Sequence, residues 1–253
     1  MKQVMKLALV AIVGMTMMSC MSVNIGNGDV DKTPTQIQQI NETTAIQPFD
    51  EVDITGAFKV IYEQKENYSV RVEASEQAFK EMTVYVKDRE LRIRKSVAKP
   101  TAQLGNVKIY VSSPDIKMVD ITGSGLFAAS DAITLSNELN VDVTGSGKAL
   151  LTSVTCPKTV FDVTGSGNIE VGNLKVDEAH ADVTGSGKIN LGTLNCKNLN
   201  VDITGSGDMN CDNINADAAD VDISGSGDVT LKGTIKTVTK DITGSGKLRI
   251  NEE

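Results

Sequence analysis

A six-residue phrase, Asp-(Ile/Val)-(Thr/Ser)-Gly-Ser-Gly, occurs seven times in this chain of 253 residues. The first copy begins at Asp120, the last begins at Asp241, and the copies are spaced about 20 residues apart. An imperfect earlier copy begins at Asp53. A unit of this length has too few residues to bury an apolar core alone, so successive repeats must stack on one another.

Apolar residues recur at the same positions of every repeat. The residue after the aspartate is always Ile or Val, and further apolar columns lie two and four places after the second glycine. Because apolar and polar positions alternate, the pattern predicts short strands with one buried face. We therefore predict an all-β fold, a right-handed single-stranded parallel β-helix (solenoid) with about 20 residues per coil. A hairpin meander is the alternative, although it would lose the alignment of the columns.

The first residues are typical of a secretory signal. A basic start and an apolar run over residues 7–18 end at Ser19-Cys20, and the run is too short for a good membrane span. A cysteine after a small residue resembles the bacterial lipoprotein signal, which predicts that residues 1–19 are removed and that Cys20 carries a lipid. Plain secretion with a fortuitous cysteine and a retained anchor are the alternatives.

The rest of the chain divides into three segments. Residues 20–47 are polar and predict a flexible tether. Residues 48–118 alternate apolar with polar side chains, which predicts a β-rich cap and first coil that includes a hairpin turning at residues 87–90. Residues 119–253 contain the repeats, and we expect them to continue the preceding segment as one domain.

Composition excludes some classes of partner. The net charge is −8, it becomes more negative when the signal is removed, and no basic run is present. Nucleic acid is therefore not an expected partner, and neither is an anionic lipid surface bound by charge alone. Aromatic residues make up 4% of the chain, which is few for a cleft that stacks sugar rings. We predict no cofactor.

The cysteines and the single histidine have ordinary structural explanations. Cys156 and Cys196 share an inward column with Val176 between them, so two coils, or about 9.6 Å, separate them. A disulfide requires Cα atoms within about 7 Å. Cys211 lies in a different column, and all three are predicted to be small buried side chains without a metal. His180 is predicted to lie on the surface.

The glycines of the phrase predict a corner of the chain. Glycine adopts positive φ without a Cβ clash, and a small residue allows coils to stack closely at the corner. A phosphate-binding loop would precede a helix, whereas each Gly-Ser-Gly here precedes a strand.

The aspartates are predicted to point outward. Apolar residues flank all but the last of them, so alternation turns the carboxylate and the following hydroxyl outward together. Stacking then places carboxylates about 4.8 Å apart, which costs on the order of 0.9 kcal/mol per neighbouring pair in water. Hydrogen bonds from Thr hydroxyls and corner N–H groups would offset this cost in a structural ladder. Bound Ca²⁺ and a ligand-binding face are the other interpretations. The predicted structural ladder comprises Asp120, Asp142, Asp162, Asp182, Asp202, Asp222 and Asp241. The weaker Ca²⁺ candidates are Asp142, Asp162, Asp182, Asp202 and Asp222.

An enzyme is the alternative function, since polysaccharide lyases and hydrolases use β-helices. A catalytic site would be a local departure from the repeat, with extra charged and aromatic residues in one coil. Here every coil carries the same acid, and a repeated residue is better explained by a repeated structural need. We predict no catalytic residues.

The order of motifs resembles a bacterial family of unknown function, named putative autotransporter adhesin, head GIN domain. The resemblance covers about residues 48–250 and implies a right-handed parallel β-helix in an envelope or periplasmic protein. The family name implies adhesion, and the resemblance supplies no catalytic residues. The matching stretches are residues 49–60, 68–72, 91–93, 107–111 and 114–116, followed by the Gly-Ser-Gly repeats.

We therefore expect a non-enzymatic lipoprotein of a Gram-negative envelope, held at the outer membrane by Cys20, with the side of that membrane left open. The expected partner is an envelope or host glycan or protein, and the sequence sets no oligomeric state. At the chain end, Arg249, Glu252 and Glu253 are expected to guard the sheet edge. Specificity is expected from the Asp/Thr face and from the variable position after each corner. That position holds Leu126, Lys148, Asn168, Lys188, Asp208, Asp228 and Lys247.

Overall fold

The computed structural model describes residues 46–96 and 107–251, together with the backbone of residues 36–40. The predicted signal, Cys20 and the end residues Glu252 and Glu253 lie outside the described residues. The strands are β1 (Gln36–Ile40), β2 (Glu51–Thr55), β3 (Lys59–Gln64), β4 (Ser69–Ala74), β5 (Met82–Lys87), β6 (Glu90–Lys95), β7 (Lys108–Ser113), β8 (Met118–Gly123), β9 (Leu126–Thr134), β10 (Leu139–Gly145), β11 (Lys148–Thr155), β12 (Lys158–Gly165), β13 (Asn168–Lys175), β14 (Glu178–Gly185), β15 (Lys188–Gly205), β16 (Asp208–Gly225), β17 (Asp228–Gly244) and β18 (Lys247–Asn251). One short helix, α1 (Glu76–Lys80), begins after Ser75, whose hydroxyl accepts a hydrogen bond from the backbone N–H of Ala78.

The repeats form a parallel solenoid. Strand β12 pairs with β10 and β14, and β13 pairs with β11 and β15, each in parallel and offset by one repeat. Asp162 stacks directly on Asp182 and Gly165 on Gly185, which confirms coils of about 20 residues. The hairpin meander is wrong, because a meander would pair neighbouring strands antiparallel.

Each coil presents two long faces that meet at the Gly-Ser-Gly corner. The strands that end at the corner carry the aspartates, and we call their outer surface the Asp face. The strands that follow the corner form what we call the groove face. The Asp face contains β2, β6, β8, β10, β12, β14 and the later parts of β15, β16 and β17; the groove face contains β3, β7, β9, β11, β13, the earlier parts of β15, β16 and β17, and β18.

The two glycines of each corner are required for different reasons. The first adopts positive φ, as at Gly145 (φ +110°), and a Cβ there would lie 2.7 Å from the carbonyl oxygen of Gly123. The second is required by close packing, since a Cβ at Gly187 would lie 2.3 Å from Cγ1 of Val163 in the coil below. The corner prediction is confirmed, and the second glycine adds a packing constraint between coils.

The imperfect copy at Asp53 forms the first rung of the solenoid. Strand β2 pairs in parallel with β8, which places Asp53 on Asp120 although 67 residues separate them in sequence. On its other side β2 pairs with β6, and β3 lies between β7 and β9. Residues 51–64 are therefore inserted into the column of coils, so the N-terminal segment and the repeats share one core.

Antiparallel strands end the column at its N-terminal side. The predicted hairpin is confirmed: β5 pairs antiparallel with β6, and Asp88 and Arg89 turn between them with φ of 55° and 66°, as a tight hairpin turn requires. On the other face β4 pairs antiparallel with β7, and β1 pairs with β4. These strands cover the parallel edges that the first coil would otherwise expose.

A buried ion pair fastens the hairpin to the first coils. The side chain of Asp50 is 4% exposed and accepts hydrogen bonds from Arg89 Nε and Nη2, the latter at 3.0 Å from Oδ2. Lys117 Nζ lies 2.5 Å from the same oxygen. Burial alone raises the pKa of Asp50, but the hydrogen bonds from Arg89 and Lys117 outweigh burial and hold that pKa below its ordinary value. No local sequence pattern indicates this pair, because Asp50 and Arg89 lie 39 residues apart in the chain.

The C-terminal end of the column has no such cover among the described strands. Val238 and Ile250 occupy columns that are buried in earlier coils, yet each is 37% exposed. Lys240 stands in register with buried Val221, so a charge ends an otherwise apolar column. An inward-pointing charge discourages edge pairing. Of the predicted guards, Arg249 forms an ion pair with Asp228.

Candidate functional site

The aspartates of the repeats stack in one outward column. Register pairs join every rung from Asp53 to Asp241. The earlier rungs, Asp120 to Asp182, are half-buried, while Asp202 and the two rungs after it are exposed. The structure therefore brings the predicted ladder residues together, and their carboxylates are the repeated feature of the Asp face.

An ion pair compensates the first rung of this column, Asp53, but not the second, Asp120, whose pKa burial raises despite a hydrogen bond from Thr122. Arg94 forms an ion pair with Asp53, and the hydroxyl of Thr55 donates to Asp53 Oδ1 at 2.8 Å. The Thr122 hydroxyl donates to Asp120 at 3.2 Å. The expected hydrogen bonds from threonine thus occur at these two rungs.

The middle rungs lack a cationic partner among the described residues. Burial, followed by hydrogen bonding and repulsion from Asp162, raises the pKa of Asp142 to about 6. The same causes, in the same order, raise the pKa of Asp182 to about 7, with Asp202 adding repulsion from the other side. At and somewhat below neutral pH, Asp142 and Asp182 therefore carry less than a full charge.

The Ca²⁺ interpretation stays a prediction. Within residues 46–96 and 107–251, no three His, Cys, Asp or Glu side chains converge on a point that could hold a metal ion. The ladder is linear, so a cation between two coils meets two carboxylates, whereas Ca²⁺ takes six to eight oxygen ligands. Further ligands would have to come from water or from the Thr hydroxyls beside the ladder.

The groove face carries charges that are paired between coils. Lys188 Nζ lies 2.7 Å from Asp208, and Arg249 Nη1 lies 2.9 Å from Asp228. Lys148, at the same variable position, lies 2.6 Å from Glu170. Most of the charged side chains at the variable position after each corner are therefore engaged in ion pairs.

An open groove of about 760 Å³ runs along this face across five coils. Strand pairing skips one or two positions in each coil, between Val171 and Asn173 for example, and the chain bends there. Gly172 and Gly192 occupy the skipped position in the two middle coils and leave the floor there without side chains, whereas Thr152 and Asp212 occupy it in the coils on either side. We call this concavity the amide groove. Its principal side chains are Leu150, Glu170, Asn173, Asn190 and Asn210.

Sequence reasoning missed the amide groove because it placed specificity at the variable position after the corner. A signal was nevertheless present, since Gly172 and Gly192 stand one repeat apart outside the Gly-Ser-Gly phrase. A Cβ at Gly192 would lie 2.5 Å from the carbonyl oxygen of Gly172. In these two coils close packing therefore favours glycine at the bend, and the open part of the floor follows from it.

The three cysteines in the described part of the chain are free thiols, as predicted. Cys156 and Cys211 are buried, but Cys196 is only half-buried, so the prediction that all three are buried is wrong for Cys196. Its column continues through Ala216 and Ile235 in the next coils, so Cys196 is partly exposed although it lies inside the column. Burial raises the pKa of each thiol to about 11, and such thiols are unreactive.

His180 lies half-exposed on the Asp face, as predicted. Its Nδ1 accepts a hydrogen bond from Nδ2 of Asn200 in the next coil, at 3.3 Å. Cys20, the predicted site of lipid attachment, lies outside the described residues. No helix in the described part of the chain has the length and apolar character needed to cross a bilayer.

The chain matches the family model described as putative auto-transporter adhesin, head GIN domain, over residues 48–212 and 191–252. It belongs to this family of β-solenoid domains. No curated protein matches it.

Solved structures share the fold at low sequence identity. A putative adhesin from Bacteroides fragilis has a TM-score of 0.76 at 19% identity and covers 87% of this chain and 98% of its own. A putative adhesin from Parabacteroides merdae has a TM-score of 0.71 at 22% identity, covering 87% and 97%. A putative lipid binding protein from Parabacteroides distasonis has a TM-score of 0.64 at 22% identity, with the same coverage. At these identities the similarity establishes the fold.

Proposed function

We propose that this chain is a non-enzymatic binding module of the bacterial cell envelope that contacts a glycan or a protein through the faces of its solenoid. The observation that carries the proposal is the uniformity of the outward acid column on the Asp face. Chemistry on a repeat scaffold needs one coil that differs from the others, whereas the Asp face repeats the same acid on every rung from Asp120 to Asp241. Membership of an adhesin-type family supports the same function.

Attachment through a lipid on Cys20 would hold the module at the outer membrane. The apolar run before Ser19-Cys20 supports this part of the proposal, and the acidic charge of the chain leaves the lipid as the means of membrane association. Replacing Cys20 with alanine is expected to move the chain from the membrane fraction to the soluble fraction and to abolish fatty-acid labelling. Unchanged labelling would contradict lipid attachment at this residue.

The binding function is tested with cells and with purified chain. Cells that lack the chain are expected to adhere less than wild-type cells to surfaces coated with envelope polysaccharide or host protein. The purified chain should bind the same surfaces and release no sugar product. Equal adhesion of the two strains, with no binding by the purified chain, would contradict the proposal.

A second candidate is a polysaccharide hydrolase or lyase on the Asp face. The raised pKa of Asp142 and of Asp182 favours it, because a carboxylic acid that titrates near neutrality can act as a general acid. The same assay separates the candidates: an enzyme would release reducing ends or unsaturated sugars, and Asp182→Asn would abolish that release. Binding without any product would exclude the enzyme for the polysaccharides tested.

A further inference from the structure

The amide groove lies over the solenoid core and crosses the coils where the groove face bends. We propose that it binds a neutral oligosaccharide chain lying along the solenoid axis, a proposal that rests on the binding function proposed above. The groove spans five coils, and at about 4.8 Å per coil this gives a length of about 19 Å. That length accommodates several sugar units in a row.

The polar groups of the groove match hydroxyl groups. Asn210 Nδ2 donates to Asn190 Oδ1 at 3.1 Å, and within the described residues this leaves the N–H donors of Asn190 and the carbonyl oxygen of Asn210 available. Asn173 is exposed beside them. Side-chain amides both donate and accept hydrogen bonds, as sugar hydroxyls do, and the groove repeats this capacity in successive coils.

The charges of the groove favour a neutral ligand. Glu170 is paired with Lys148 at 2.6 Å, and Asp212 is paired with Lys232 at 2.9 Å. A uronate or phosphate chain would meet these carboxylates, and a cationic chain would meet the lysines. A neutral chain can accept from the amides and donate to the paired carboxylates without separating either ion pair.

An extended peptide fits the groove less well. The peptide groups of each strand pair with the strands above and below, in the direction of the groove, so a peptide along the axis finds no main-chain partners. The glycine floor at Gly172 and Gly192 also offers no deep apolar pocket for an anchoring side chain. Recognition must therefore use side-chain amides and carboxylates, together with the half-exposed Leu150 against the C–H faces of the sugar.

None of the described residues that line the groove is aromatic, and we expect a single site to bind weakly, with a Kd on the order of 1 mM. Such affinity suits adhesion, because many copies on one cell bind a repeating polysaccharide together and the combined attachment is far stronger.

The test is amide NMR of the isotopically labelled chain during addition of cellohexaose, maltohexaose or xylohexaose, with hexagalacturonate as the charged comparison. We expect saturable shifts at residues 170–173 and 190–193 with at least one neutral chain and smaller shifts with the uronate. Asn190→Ala should weaken binding about fivefold, the effect of one lost hydrogen bond. The matched control is Asn215→Ala, an exposed asparagine outside the groove, which should leave affinity unchanged.

Three results would overturn the proposal. They are the absence of shifts with every neutral chain, equal affinity for hexagalacturonate, and affinity unchanged by Asn190→Ala when that variant melts like wild type. Shifts confined to the Asp face would also overturn it while supporting the broader binding function. Failure of the groove and failure of the binding module are therefore distinguishable.

Discussion

The uncompensated middle of the aspartate ladder predicts that removing one charge there stabilises the protein. In Asp182→Asn the side chain keeps its shape and loses its charge next to Asp162 and Asp202. At about 4.8 Å each contact costs about 0.9 kcal/mol in water and more in a partly buried site. Two contacts give about 2 kcal/mol. The pKa of about 7 for Asp182 corresponds to roughly 4 kcal/mol before screening; burial is its largest cause, repulsion from the neighbours adds to it, and solvent screening of a half-exposed side chain lowers the figure.

The sign of the pH dependence follows from the direction of the shift. An acid whose pKa is raised by folding favours the folded state while both states are protonated, below about pH 4. That contribution is lost as pH rises through the folded values of about 6 and 7 for Asp142 and Asp182. The advantage of Asp182→Asn over wild type should therefore be about 2 kcal/mol at pH 8 and clearly smaller at pH 5.

Urea denaturation of wild type, Asp182→Asn and the control Asp131→Asn at both pH values measures this difference. Asp131 is an exposed acid outside the ladder, and its substitution should change the midpoint little. A lower midpoint for Asp182→Asn at pH 8 would refute the reasoning, because it would mean that the carboxylate is held by favourable interactions. An equal gain at both pH values would refute the electrostatic origin.

Four further predictions concern other parts of the molecule. Asp50→Ala leaves the partly exposed Arg89 and Lys117 without their partner, and thermal melting should show a loss of about 2–4 kcal/mol. The buried Thr159 hydroxyl has no hydrogen-bond partner among the described residues, so Thr159→Val should gain about 1 kcal/mol in urea denaturation; a loss would mean that the hydroxyl is hydrogen-bonded in solution. Lys240→Val should increase self-association in light scattering because it removes the charge from the open end of the column. If Ca²⁺ binds the ladder, EDTA should lower the melting temperature and Ca²⁺ should restore it, whereas an unchanged temperature would exclude that site.

Much of the fold follows from the sequence because each coil repeats the same local requirements. The spacing from Asp162 to Asp182 predicts both the coil length and the parallel register, since identical columns align only if strands stack in one direction. The close packing of Gly187 against Val163 could not be derived in this way, because it depends on the distance between coils. The stacking of Asp53 on Asp120 likewise joins segments that 67 residues separate. No local pattern indicates that the strands between them include antiparallel pairs, β4 with β7 and β5 with β6, one on each face.

The candidate site was less predictable, because exposure and ion pairing depend on which residues meet between coils. The outward column of aspartates was predicted, but its uneven compensation was not: Arg94 reaches Asp53 from a strand that lies outside the repeats. On the groove face, the variable charges were expected to determine ligand specificity. There Lys188 forms an ion pair with Asp208 instead. Where opposite charges alternate between stacked coils, each side chain forms an ion pair with its neighbour. Where the same charge repeats on every coil, the charges repel one another.

This difference separates the roles of the two faces. On the Asp face the identical acids repel one another, so the protonation state of their carboxylates depends on pH. This surface therefore suits a ligand that carries positive charge. On the groove face the paired lysines and acids leave amides and a glycine floor as the groups available for binding, at Asn190 and Gly172 for example. Binding at the amide groove should therefore change little between pH 5 and pH 8, while the stability of the coils beneath Asp182 changes. A pH dependence of binding that parallels the pH dependence of stability would place the ligand on the Asp face instead.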